Sequence, residues 1–254
     1  MFTAVTALHI QLVATGDFLK EDLLDLSPLQ KFPQLVELWI FGVVAQKVAL
    51  RFHAAANVTE LHLPLRAIHF IRLTVSNSAE NYLQLFTGAH QATVVNFKEC
   101  RLAERLQTHG DLFENLSSNS VKAIALQRIQ NDESQYFRRE WRYDAIFRTD
   151  RKFAELEYLD LSFNSIEYLS LEVMRNFLRL KFIDLSNNHL DSAHTTHNID
   201  FRVLAFFHPE IEVLGANSQG IENRNLNCAA QTGRKLLNST RADTQTHNDE
   251  SYGA

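Results

Sequence analysis

Leu156-x-x-Leu159-x-Leu161-x-x-Asn164-x-Ile166 returns 24 residues later as Leu180-x-x-Ile183-x-Leu185-x-x-Asn188-x-Leu190. A third copy follows as Ile211-x-x-Leu214-x-Ala216-x-x-Gln219-x-Ile221, and the first two copies carry Asp-Leu-Ser at the same place. Self-similarity of this period marks a chain built from units that cannot bury their apolar faces alone and must stack. Working outward with the same template recovers weaker copies at Val5/Leu8/Ile10, Leu35/Leu38/Ile40, Val58/Leu61/Leu63, Ala92/Val95/Phe97 and Val121/Ile124/Leu126. The spacing between successive copies is then 30, 23, 34, 29, 35, 24 and 31 residues.

This pattern is that of a leucine-rich repeat. It predicts an α/β fold: a curved solenoid of about eight repeats, with a parallel sheet on the concave side and an irregular or helical convex side. The solenoid is expected over 1–221, regular over 156–221 and irregular before that. Each strand sends its leucines into a core shared with both neighbours, so stability approaches a nearest-neighbour sum. Cys100, Asn164, Asn188 and Gln219 occupy the position after each strand, where a polar side chain satisfies turn amides and carbonyls that would otherwise be buried unpaired. Val13, Val43, Arg66 and Ile129 stand there in the other copies. Phenylalanines of the return segments are expected to fill the convex half of the core.

Composition narrows the function. Of 254 residues, 45% are hydrophobic and 35 are leucine, which excludes disorder over most of the length. Only 8 are glycine, and no phosphate-cradling loop is present. A net charge of −5 supplies no electrostatic footprint for nucleic acid. No run approaches the ~20 apolar residues of a membrane span, and Met1 to Gly16 lacks the basic start of a signal peptide. Two cysteines make neither a disulfide framework nor a zinc site. No catalytic residues, no cofactor and no metal are expected; His194-x-x-His197 is two imidazoles in a polar loop without further ligands.

Recognition is the remaining class. Residues between the second and third apolar positions of each strand face outward, giving the column His9, Trp39, His62, Asn96, Ala125, Asp160, Asp184 and Gly215. Trp39 and Phe41 both point out while Ile40 points in, so Trp39, Phe41, His62, Asn96 and Lys98 form the expected concave binding face. Aromatic anchors of this kind dominate interface energetics; an inserted loop covering Trp39 is the structural alternative. Segment 127–155 is rich in aromatics (Phe137, Trp141, Tyr143, Phe147) and is expected to pack as a helix on the convex side. Asn57 and Asn115 head glycosylation sequons, as does Asn238. Neither end carries a cap over the core, so the chain is expected to be part of a longer protein or an incomplete gene product. The polar segment 222–254 is expected to be disordered.

From Val5 to Ile221 the chain resembles the middle of a Toll-like receptor ectodomain. The likeness rests on Asp-Leu-Ser-x-Asn in the 156 and 180 copies, the phenylalanine-bearing return and the irregular earlier half. The resemblance implies a pattern-recognition segment at the extracellular side of a membrane. It would bind a protein or other microbial ligand and act through a homo- or heterodimer of the parent receptor, in innate immune signalling. The membrane and cytoplasmic parts of such a receptor are missing from this chain. The same repeats also fit an intracellular scaffold that binds a protein partner through its concave face, and glycan occupancy at Asn57 and Asn115 separates the two.

Overall fold

The computed structural model describes residues 4–13, 22–43, 47–51, 64–75, 86, 91–102, 111–113, 116, 119–131, 146–147, 153–166, 171–188, 207–208 and 210–214. Strands are numbered in chain order. Eight of them form one sheet, each paired in parallel with its neighbours: β1 (Ala7–Gln11), β3 (Glu37–Phe41), β5 (Ala67–Ile71), β7 (Val94–Lys98), β9 (Ala123–Gln127), β11 (Tyr158–Asp160), β12 (Phe182–Asp184) and β13 (Glu212–Leu214). A second parallel sheet takes the strands between them: β2 (Asp22–Asp25), β4 (Lys47–Arg51), β6 (Thr74–Val75), β8 (Arg101–Leu102) and β10 (Gln130–Asn131). Among the described residues the helical elements are α1 (Leu171–Met174) and two short 3-10 turns, Ser27–Lys31 and Asp111–Phe113. The described fold is therefore a mostly parallel α/β-like arrangement.

Strand alternation explains which residues go inside. Successive side chains of a strand face opposite ways, so Leu38 and Ile40, Ile68 and Phe70, Val95 and Phe97, and Ile124 and Leu126 are all buried. Leu35, Ala92, Val121, Leu156 and Leu180, three residues before each strand's first inward residue, are buried with them. Between the strands the core is filled by phenylalanine. Phe86, Phe113, Phe147 and Phe177 follow one another with ring centroids 6.3, 5.6 and 5.3 Å apart, and Phe153 packs edge-on against Phe113 and Phe147. Of the aromatic segment 127–155, Phe147 is thus a core residue, while Phe137, Trp141 and Tyr143 lie outside the described residues.

Two registers differ from the sequence expectation. Trp39 pairs with His69, and His69 with Asn96, so the third strand of the large sheet is 67–71 and not the Val58/Leu61/Leu63 segment. Leu65, Ile68 and Phe70 are its buried residues, and Leu73, not Arg66, takes the position after it. The intervals on either side become 30 residues (Leu38 to Ile68) and 27 (Ile68 to Val95), more even than 23 and 34. The segment 65–75 prevails because its apolar pattern runs on to Leu73 and Val75, both buried, whereas the earlier register would place Arg66 in the interior. At the other end Val213 pairs with Ile183 and Leu214 with Asp184. The last strand is thus one residue earlier than the Ile211/Leu214/Ala216 alignment, with Leu214, not Gly215, paired with Asp184.

The position after each strand is polar only in part, and the second sheet accounts for the difference. Asn164 Oδ1 accepts from the Ile129 amide (2.8 Å) while Nδ2 donates to the carbonyls of Leu126 (2.7 Å) and Leu161 (2.8 Å). Asn188 does the same for the Ile166 amide and the carbonyls of Leu161 and Leu185. Cys100 keeps the donor half, with Sγ donating to the carbonyls of Phe70 (3.3 Å) and Lys98 (3.4 Å). Val13, Val43, Leu73, Cys100 and Ile129 are the positions followed by β2, β4, β6, β8 and β10, where main-chain pairing serves in place of side-chain amides. Gln219 lies outside the described residues.

Candidate functional site

On the outward face of β1, β3 and β5, register places His9, Trp39 and His69 side by side. The Trp39 indole stacks on the His69 imidazole at 3.8 Å with planes 10° apart, and Phe41 lies parallel to Trp39 at 6.0 Å. His9 closes the group, tilted, 5.7 Å from Trp39 and 5.9 Å from Phe41. The four rings share a face because Leu38 and Ile40 are committed to the core. Trp39 and Phe41 are half-buried, bordered by these neighbouring rings.

His69 is the most enclosed member, only 9% exposed. Asn96 Nδ2 lies 3.4 Å from its Nδ1, within hydrogen-bond range. Nε2 lies 3.5 Å from Glu37 Oε1, within ion-pair range but without hydrogen-bond geometry, and Asn96 Oδ1 is likewise buried without a partner. Burial holds the His69 pKa below its ordinary value; Glu37 pulls against that shift and His9 adds to it. His69 is thus a neutral, flat ring at neutral pH, well suited to stacking.

Beside this platform the ends of β1, β3, β5 and β7 border a cleft of about 280 Å³ lined by Gln11, Phe41, Gly42, Ile71, Arg72, Lys98 and Glu99. Its origin lies in the residue that leaves each strand. Arg72, Glu99, Arg128, Phe163 and Asn187 all adopt left-handed backbone with φ between 51° and 59°. The amides of Gly42, Arg72, Glu99, Arg128 and Phe163 bond in turn to the carbonyls of Ile71, Lys98, Gln127, Ser162 and Ser186. Their side chains form one row: Arg72 Nε donates to Glu99 Oε2 at 3.0 Å, Arg128 stands 3.9 Å from Glu99, and the Arg128 guanidinium sits 4.8 Å over the Phe163 ring. Arg72 holds the Glu99 carboxyl below the usual carboxylate range, so it stays ionised. Gly42 continues the row of main-chain bonds, and a Cβ there would meet Leu73 Cδ2 at 2.3 Å, so the close packing of Leu73 requires glycine.

The far half of the face has a different character. Asp160 and Asp184 accept hydrogen bonds from the Ser162 and Ser186 amides two residues on, which is what Asp-Leu-Ser does locally. Asp160 also accepts from Gln127 Nε2. Tyr158 and Phe182 stack at 4.7 Å.

Of the expected binding residues, Trp39, Phe41, Asn96 and Lys98 share this face, with Phe41 and Lys98 at the cleft. His62 does not occupy the column; His69 does, and His62 itself lies outside the described residues, as do Asn57, Asn115, His194 and His197. Among the described residues no three metal-ligating side chains cluster, and no helix is long and apolar enough to cross a membrane. His69, Arg72 and Glu99 were not singled out by sequence reasoning. The signal for His69 was the longer apolar run from Leu65 to Val75. A scan against protein-family models finds no match to the chain, and a search of curated proteins finds none either.

Proposed function

We propose that this chain is a curved leucine-rich-repeat solenoid of about eight repeats and works by recognition, not catalysis, as the ligand-recognition segment of a Toll-like receptor. One observation carries the reading: the stack of Trp39, Phe41, His9 and His69 on the outward face of a parallel sheet. The eight parallel strands in chain order, the Asn164 and Asn188 side-chain ladder and the buried phenylalanines support the repeat class. Planar rings held by a sheet offer contact area at small entropic cost, and such residues dominate binding where they are partly enclosed. Trp39 and Phe41 would anchor the ligand, Asn96 and Lys98 would orient it, and His69 takes the place expected of His62. Signalling would pass through dimerisation of the parent receptor and its membrane and cytoplasmic parts.

The test is binding of the purified chain to a panel of probes: a bacterial lipopeptide, lipid A and a flagellar protein. Saturable binding of one probe, weakened about 30-fold or more by Trp39→Ala, supports the reading. Absence of saturable binding, or equal affinity of the variant, overturns it. N-glycans on Asn57 and Asn115 of the protein in its native cell would set the receptor apart from an intracellular scaffold.

A further inference from the structure

We propose that the cleft at the ends of the first four large-sheet strands seats an acidic peptide segment of a protein partner. An apolar or aromatic side chain would lie against Phe41 and Ile71, with a neighbouring carboxylate on Arg72 and Lys98. The inference rests on the recognition reading above and names the chemistry of one part of that surface.

The cleft is enforced by packing. From Arg72 to Phe163 the described side chains of the row meet one another, and Gly42 lines the cleft beside them. A Cβ on Gly42 would meet Leu73 Cδ2 at 2.3 Å, so the core packed behind the cleft requires glycine at that place. Its floor is apolar and its rim is cationic. Arg72 uses Nε for Glu99, which fixes the guanidinium and leaves its two terminal nitrogens without a partner among the described residues. That pair of nitrogens matches the two oxygens of a carboxylate. The Lys98 ammonium also lacks an ion pair among the described residues, and Lys98 sits directly opposite Ile71 on the neighbouring strand. With Arg72 and Lys98 set against Glu99, the lining carries a net positive charge.

Size and position select a peptide over a small molecule. About 280 Å³ lies below the range of drug-sized pockets and suits one or two side chains. Phe41 belongs to both the cleft and the aromatic stack, so a chain seated here would continue across Trp39. A carboxylate would therefore enter at the cleft while the flanking residues cover the rings.

The test uses the full chain, 15N-labelled, titrated with two capped pentapeptides, GFDEG and its neutral counterpart GFNQG. The proposal expects GFDEG to shift the amides of Gly42, Arg72 and Lys98, to weaken as salt rises, and to bind at least tenfold more tightly than GFNQG. Lys98→Gln and Arg72→Gln should each weaken GFDEG about tenfold. Lys98→Gln removes no hydrogen bond or ion pair among the described residues, so its effect does not depend on refolding. Equal binding of the two peptides, indifference to Lys98→Gln, or equal shifts with inorganic phosphate alone would overturn the assignment. If GFDEG fails while a larger ligand still depends on Trp39, the recognition reading stands and this inference falls. If Trp39→Ala has no effect on any probe either, both fall.

Discussion

Replacing Asn164 with leucine removes a hydrogen-bonding side chain while keeping its volume, which separates the ladder from packing. Asn164 is 6% exposed and makes three bonds to main chain: the Ile129 amide at 2.8 Å and the carbonyls of Leu126 and Leu161 at 2.7 and 2.8 Å. The Leu161 carbonyl keeps the Asn188 amide at 2.9 Å, so the loss falls on Ile129 and Leu126. Each buried group left unsatisfied costs roughly 1–3 kcal/mol, giving about 3 kcal/mol for the pair. That is a large share of the roughly 5–15 kcal/mol that holds a typical domain together. With a urea m-value of about 2–3 kcal/mol/M, the midpoint followed by far-UV circular dichroism should fall by more than about 1 M. Hydrogen exchange at the Ile129 amide should rise about a hundredfold, since each 1.4 kcal/mol is roughly a factor of ten. Glu155→Gln, which breaks an exposed pair with Arg179, is the control and should cost less than about 1 kcal/mol. A midpoint shift for Asn164→Leu no larger than that of the control, with Ile129 still protected, would refute the ladder as a source of stability.

Three further outcomes follow from the core and its buried polar groups. Phe113→Ala should cost about 3–5 kcal/mol in a denaturation series and Phe113→Leu much less, because Phe113 touches Phe86, Phe147 and Phe153 together; similar small losses for both would mean that the phenylalanines pack loosely. Burial lowers the pKa of both His69 and His208 from 6.5, so the unfolded chain takes up protons first. Stability should be fully present above about pH 6.5 and fall as pH drops toward the folded values, by at most about 1.4 kcal/mol per pH unit per histidine; His69→Gln should flatten that slope, and an unchanged profile would count against a buried neutral His69. In a Cys228→Ser background the Cys100 thiol, pushed up to about 12 by burial, should resist Ellman's reagent until urea unfolds the chain; rapid labelling of the native protein would show that Cys100 is not enclosed.

Much of the architecture can be read from apolar spacing, and the places where it fails are instructive. Leu35/Leu38/Ile40, Ala92/Val95/Phe97 and Val121/Ile124/Leu126 are buried as their pattern requires, and Asn164 and Asn188 do what their position after a strand suggests. The outward pointing of Trp39 and Phe41 follows from alternation alone. The third strand was misplaced because Leu61-His62-Leu63 and Ile68-His69-Phe70 present the same local pattern, each an apolar pair around a histidine. The cleft was invisible for a related reason. Nothing in the neighbourhood of Gly42 announces a cleft until Arg72, Lys98 and Glu99 are known to line it with Phe41.

The amino-acid pattern alone establishes that short strands recur, which residues of each face inward, and where aromatic rings stay outside. Those properties depend on alternation within five or six residues, and burial of apolar surface is local enough to be written there. Which of two equivalent segments joins the sheet, which histidine stacks on Trp39, and where the cleft forms beside Gly42 emerge only on folding. Each depends on groups about 30 residues apart meeting in register, with Leu73 filling the space behind Gly42 and Asn96 reaching His69 across neighbouring strands. Parallel pairing brings such groups together through main-chain bonds that carry no side-chain identity, and so no local pattern records the partner.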